Sequence, residues 1–223
     1  DIDKLISVIV IDNLPHKIIN LTLGFKFNQV ADYLPQTLIK LMFVDDFNKS
    51  VDNLPQKLIQ LSFGPKFNNS VNKLPLKLTD LCFYGYFDKR INKLPPQLKK
   101  LYLGPNFNQK VNKLPKTITE ISLSISFNHS VDNLPPGITK LHFGMAFDQP
   151  VDNLPPNLLE LHFYGNRFNH PLDNLPDTLI DIKLNDFFNY SMENFPPNIQ
   201  KITCHPDYKN VPERFKNRIV YDE

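Results

Sequence analysis

A period of twenty residues runs through this chain and limits what it can fold into. Phe stands at 27, 47, 67, 87, 107, 127, 147, 168 and 188, with one extra residue entering between Phe147 and Phe168. Leu-Pro keeps the same spacing from Leu14-Pro15 to Leu175-Pro176, and Phe195-Pro196 closes the series. Around 51–68 the unit reads V-x-x-L-P-x-x-L-x-x-L-x-F-x-x-x-F-N. So short a unit cannot hold a strand, a long helix and two turns. It can hold one short strand and a compact return. Leu61 and Phe63, two apart, share one face of such a strand. The proline upstream opposes a helix and favours extended backbone. Equivalent strands then stack in parallel at about 4.8 Å, on the order of 50 Å for the whole array. No turn can bury its apolar side alone, so neighbours bury one another's. The expectation is a repeat solenoid with a parallel β-sheet on its concave face. Its returns are Pro-rich, irregular or extended, with little or no α-helix.

Composition agrees. Twenty Pro beside seven Gly in a strictly periodic chain point to a stiff ordered array, not a disordered linker. Two cysteines give no disulfide framework and fit a reducing compartment. Cys82 and Cys204 fall six turns apart, roughly 29 Å at strand spacing, beyond disulfide reach. No apolar run approaches membrane-spanning length and no signal peptide opens the chain, so a cytoplasmic location without a membrane partner is expected. The start at Asp1, without Met, fits a part of a longer protein. The whole is read as one solenoid: 1–26 an N-terminal cap and partial repeat, 27–207 about nine repeats, 208–223 a C-terminal cap over the last open edge. LISVIV near the start reads as a capping strand, and Tyr208 still stands on the Phe period. The extra residue near Gly165-Asn166-Arg167 should bulge locally without ending the stack.

The repeated letters are expected inside: Val51, Leu54, Leu58, Leu61, Phe63 and Phe67, with the Phe67 column stacked as an aromatic spine. After it runs a column of Asn28, Asn48, Asn68, Asp88, Asn108, Asn128, Asp148, Asn169 and Asn189. Short polar side chains recurring there should satisfy turn backbone groups that lack strand partners. As calcium ligands they lack the Gly-rich, denser carboxylate spacing such repeats need. Neither cofactor nor metal is expected. Catalysis finds no support either: G-x-S-x-G, P-loop, H-E-x-x-H and C-x-x-C are all missing.

The variable letters flank the inward ones and point to the other face of the sheet. One outward column runs Asn20, Lys40, Gln60, Asp80, Lys100, Glu120, Lys140, Glu160, Asp181, Lys201; the next runs Thr22, Met42, Ser62, Cys82, Tyr102, Ser122, His142, His162, Lys183, Thr203. The concave face they form is the expected partner site. Lys100, Glu120, Lys140 and Glu160 alternate in sign, either as a self-satisfied ladder or as a polar docking strip. Met42, Tyr84 and Tyr102 read as exposed anchors. His142 and His162 stack beside Glu160; a shared zinc is one reading and a pH-sensitive surface pair the stronger one.

Charge is unevenly spread. The net is +2 overall, but 67–126 holds ten Lys/Arg against three Asp/Glu, net +7. Residues 127–207 hold four against ten, net −6. Lys73, Lys93 and Lys113 share one column, Arg90 and Lys110 another. Stacked like charges repel, so this basic patch awaits an acidic partner. Nucleic acid is the alternative partner, but the patch lacks aromatic platforms and an acidic block adjoins it. A protein of matching charge asymmetry fits better.

The string F-N-x-x-V-x-x-L-P-x-x-L-x-x-L-x-F resembles the FNIP repeat of social amoebae and amoeba-infecting giant viruses, over about 7–207. L-x-x-L-x-F at Leu58, Leu61 and Phe63 is similar to the leucine-rich-repeat strand, and the Leu-Pro form to short repeats of some secreted bacterial ubiquitin ligases. Lys66 and its equivalents replace the usual leucine-rich-repeat Asn, with Phe67-Asn68 just after. The fixed core and variable face read as a non-enzymatic, monomeric protein-binding scaffold, and the resemblance places it in the host cytoplasm if viral. The resemblance also implies the substrate-capturing part of an F-box-type ubiquitin ligase adaptor, with ligase components as partners if an F-box lies upstream. No F-box is visible here.

Overall fold

The fold was analysed in a computed structural model that describes residues 5–6, 14–24 and 26–222. Among the described residues twelve short strands form one parallel sheet in chain order. They are β1 Leu5–Ile6, β2 Asn20–Leu23, β3 Lys40–Phe43, β4 Gln60–Phe63, β5 Asp80–Phe83, β6 Lys100–Tyr102, β7 Glu120–Ser122, β8 Lys140–Phe143, β9 Glu160–Phe163, β10 Asp181–Lys183, β11 Lys201–Cys204 and β12 Ile219–Tyr221. Leu41 pairs with Leu61 and Leu61 with Leu81, one sequence period per strand. The extra residue is absorbed before β10, where Leu161 pairs with Ile182 and Phe168 stacks 6.0 Å from Phe147.

Leu-Pro sets up each strand. The Leu58 N–H donates to the Pro55 carbonyl at 3.3 Å, and Leu78 and Leu98 repeat the bond to Pro75 and Pro95. This tight turn delivers the chain to the sheet, where side chains alternate between core and surface. Val51, Leu54, Leu58, Leu61, Phe63 and Phe67 are all buried, as expected. The spine is double. Phe67 stacks on Phe47 and Phe87 at 6.0 Å, while Phe63 of the same turn lies face to face with Phe67 at 3.8 Å. Each ring removed from water stabilises the fold by roughly 1.5–3 kcal/mol before packing is counted.

The second Phe column lapses in some turns. Leu123 and Leu184 replace Phe, and there the following Ser124 or Asn185 is itself buried. Ser124 donates to the Phe107 carbonyl at 2.6 Å and Asn185 to the Phe168 carbonyl at 2.7 Å, the same offset in each case.

The Asn/Asp column works as a ladder between turns. The Asn48 N–H donates to Asn28 Oδ1 at 2.9 Å, Asn68 to Asn48 at 2.9 Å, Asp88 to Asn68 at 3.0 Å and Asn108 to Asp88 at 2.8 Å. Only an acceptor oxygen is required, which is why Asn and Asp exchange freely there.

At the C-terminus a 3₁₀ helix, Glu213–Arg218, buries Phe215 against the last turn. Tyr208 stacks on Phe188 at 6.2 Å. Arg218 donates to the Pro197 and Ile199 carbonyls at 2.6 Å. Thr117 makes the same bonds to Pro96 and Leu98 at 2.8 Å, so the cap still keeps the period. This segment closes the core over the last turn and adds β12 beside β11, with Val220 and Tyr221 exposed. At the other end Leu5–Ile6 pairs with β2; the rest of the expected LISVIV strand lies outside the described residues.

Candidate functional site

The outward columns lie in register across the sheet, so the concave face is built by the short strands themselves. Lys100 Nζ lies 2.8 Å from Glu120 Oε2, and Lys140 Nζ 3.0 Å from Glu160 Oε2. The alternating charges resolve into two separate pairs, not a continuous ladder. A groove of roughly 440 Å³ crosses β4 to β8, with Ser62, Cys82, Tyr102, Ser122 and His142 along its floor and Asp80, Lys100, Glu120 and Lys140 along one side. Tyr102 is exposed there.

Two expected anchors are placed differently. Met42 is half-buried between its neighbours, not exposed. Tyr84 is exposed but follows β5 by one residue, so it stands on the rim, its ring 6.0 Å from Tyr102. The Cys82 thiol beside Tyr84, then burial, pushes the phenol up to about 12. Thr203, in an outward column, is buried where β12 pairs over it.

His142 and His162 stack at 4.7 Å with rings 6° from parallel. His142 Nε2 lies 2.7 Å from Glu160 Oε1. His162 Nε2 lies 3.2 Å from Asp181 Oδ1 and its Nδ1 3.1 Å from the Tyr164 hydroxyl. Burial pushes Glu160 up, but hydrogen bonds from Lys140 and His142 outweigh it and hold the carboxyl below its usual range. Burial lowers the His162 imidazole despite Asp181. The donors of His142, Glu160 and His162 lie within 4.8 Å of one another, close enough to suggest a divalent cation. The ring geometry opposes it. A metal lies in the plane of each imidazole that binds it, and two parallel offset planes share no such point. Every ring nitrogen named above already has a protein partner, so the cluster as built is a hydrogen-bonded chain.

Asp181 and Tyr164 complete this cluster; Asp181 stands in the expected outward column beside Glu160, whereas Tyr164 was not among the expected site residues. Tyr164 keeps the plain period but follows β9 by one residue, so it lies outside the strand columns.

On the return edge, Arg90, Lys93, Lys110 and Lys113 are exposed and line or adjoin an open groove of roughly 450 Å³. Lys73, counted with them, is instead paired with Asp52 at 3.0 Å.

Residues 87–126 and 127–166 match the model of the FNIP Repeat family. Among solved structures, CroV588, a circular LRR protein of the giant virus CroV, is 29% identical with a TM-score of 0.83, covering 98% of this chain and 38% of its own. The functional domain of InlJ from Listeria monocytogenes is 11% identical, TM-score 0.67, over 96% of this chain and 51% of its own. YopM from Yersinia enterocolitica is 19% identical, TM-score 0.52, over 86% and 47%. The chain thus spans less than two thirds of the length of each. No functionally curated protein matches the sequence. The fold is an LRR-like solenoid; among the described residues no helix is long and apolar enough to cross a membrane.

Proposed function

We propose that this FNIP-repeat solenoid is a non-enzymatic scaffold that binds a protein partner with its concave sheet face. The observation that carries the reading is the groove over β4–β8, where chemically varied side chains sit on a core that stays apolar and exposed Tyr102 meets Tyr84 at the rim. Aromatic residues in such a setting are the side chains that dominate interface energetics. Lys100, Glu120, Lys140, His142, Glu160 and His162 border the groove or continue it toward β9, and half-buried Met42 lies toward the other end.

The finer reading, capture of substrates for an F-box-type ubiquitin ligase in the cytoplasm, rests on the resemblance of the repeats alone. The test is affinity purification with the chain beside a variant carrying Lys100→Glu, Tyr102→Ala, His142→Ala and His162→Ala. A partner lost by a variant with unchanged circular dichroism supports the concave face. A partner kept equally by both sinks that assignment.

A further inference from the structure

The return edge carries a second surface that concave-face binding does not use. Five successive turns present these quartets at the same point: Ser50-Val51-Asp52-Asn53, Ser70-Val71-Asn72-Lys73, Arg90-Ile91-Asn92-Lys93, Lys110-Val111-Asn112-Lys113 and Ser130-Val131-Asp132-Asn133. Their formal charges run −1, +1, +2, +2, −1. The second letter is core and stays apolar. The outward letters change over these turns: Asn and Lys replace Asp and Asn at 72–73, 92–93 and 112–113, and a cation replaces the leading Ser at 90 and 110.

Each change gives up an interaction that the other turns use. Where Ser stands first, its hydroxyl accepts the N–H two residues on: Asp52 to Ser50 and Asp132 to Ser130, both at 3.3 Å. Arg90 and Lys110 cannot accept that bond. In three turns where an acid stands third, the fourth residue of the next turn reaches back to it. Lys73 meets Asp52 at 3.0 Å, Asn153 meets Asp132 at 3.4 Å and Asn194 meets Asp173 at 2.9 Å. By the same offset, Lys93 and Lys113 follow Asn72 and Asn92, which carry no charge. Among the described residues no ion pair forms at Arg90, Lys93, Lys110 or Lys113. Cations stand where other turns have Ser or Asn, and Asn stands where those turns keep the third-place acid; the one acid these turns retain, Asp88, accepts the Asn108 N–H and forms no ion pair with Arg90 among the described residues. Unselected surface variation gives no reason for those changes to coincide.

We propose that this groove, lined by Arg90, Asn92, Lys110, Asn112, Lys113 and His129, docks a short extended acidic segment of a protein. The basic turns from Lys73 to Lys113 span about 10 Å at strand spacing, the length of three or four extended residues. Asp132, Asp148 and Asp152 follow on one side and Asp52 precedes on the other. A peptide can confine its acids to that length. A nucleic-acid backbone carries its charge onward into the acidic turns, and no Phe or Tyr lines the groove to stack a base.

The test is fluorescence anisotropy at low ionic strength with a labelled tetraglutamate peptide flanked by Gly-Ser, beside a thymidine oligomer of matched charge. The variant rewrites both turns to the letters of 50–53 and 130–133: Arg90→Ser, Asn92→Asp, Lys93→Asn, Lys110→Ser, Asn112→Asp and Lys113→Asn. Those letters already fold at the same place in this chain. The expected result is peptide binding that salt weakens, reduced at least about tenfold in the variant and unchanged by Tyr102→Ala. If the rewritten chain loses its circular dichroism signal, Lys93→Asn with Lys113→Asn carries the test, with a loss of about threefold. Equal binding by wild type and variant, no binding by wild type, or tighter binding of the thymidine oligomer overturns the proposal.

Discussion

Lys100 and Lys113 are exposed lysines in neighbouring stretches of the array, and their surroundings differ. Lys100, on the sheet, has Glu120 at 2.8 Å. Lys113, on the return edge, follows an Asn where other turns keep an acid. The same contrast holds more widely. Lys140, His142, His162 and Lys201 on the sheet all lie within ion-pair distance of Glu160 or Asp181. From β6 to β11 the sheet face is therefore largely paired within itself, and what it offers a partner is shape and aromatic area. The middle return edge is unsettled, and what it offers is charge. A face can vary from turn to turn and still satisfy itself; variation alone does not mark a docking surface, whereas an unanswered charge does.

The contrast is only meaningful if both faces hang from one scaffold, and the largest prediction tests that. Phe67→Ala should cost about 3–5 kcal/mol, because the ring is fully buried between Phe47, Phe63 and Phe87. Chemical denaturation followed by probes on the sheet and on the return edge should give one shifted transition; two separate transitions would mean the faces belong to independent units.

A smaller loss is expected on the rim between the faces. A Cβ on Gly85 would meet Pro65 Cα at 2.1 Å, so Gly85→Ala should destabilise by roughly 1–3 kcal/mol through overpacking. Thermal melts of this variant beside the exposed rim change Met145→Ala would read the difference.

The settled face should also respond to acid. Folding lowers both the Glu160 and the His162 pKa, so the folded chain holds fewer protons than the unfolded chain in acid. Their contribution is full above pH 6.5, begins to fall below it with His162, and falls further below 4.5 with Glu160. His162→Gln should flatten the upper part of the melting-temperature profile. A profile unchanged by this substitution would detach the histidine from the pH response.

The smallest effect separates the faces directly. A double-mutant cycle on Lys140 and Glu160 should give a coupling of about 0.2–1 kcal/mol, as half-exposed pairs do. Lys113→Ala should leave stability unchanged or raised, since it removes repulsion from a like-charged column. A clear loss of stability on Lys113→Ala would show that the return edge is satisfied after all.

The scaffold was legible in the sequence because the period fixes register. Once Leu61 and Phe63 share a face, Leu81 and Phe83 must follow, and the Phe and Asn/Asp columns fall into place. What the period did not carry is where the spacing departs from twenty. At the last strand, β12 pairs with β11 at a shorter offset, Ile202 with Ile219, burying Thr203. Exposure within a column was also hidden: Met42 is covered by its neighbours and Tyr84 lies beyond the strand, differences of local packing that a column assignment cannot express. The expected pairing of sheet charges was readable; which of them would pair was not, because alternating signs allow either neighbour.

The Asn/Asp ladder bears on how such a protein ages. Asparagine amides are among the thermolabile groups of long-lived chains, and this array exposes several of them in line. Yet the oxygen is the only atom the ladder uses, and Asp88 already accepts the Asn108 N–H at 2.8 Å. Simple hydrolysis of an amide to a carboxylate at these positions would leave the joints between turns intact while adding negative charge to one edge. The array would keep its shape as it aged, and the first property to drift would be its electrostatic balance.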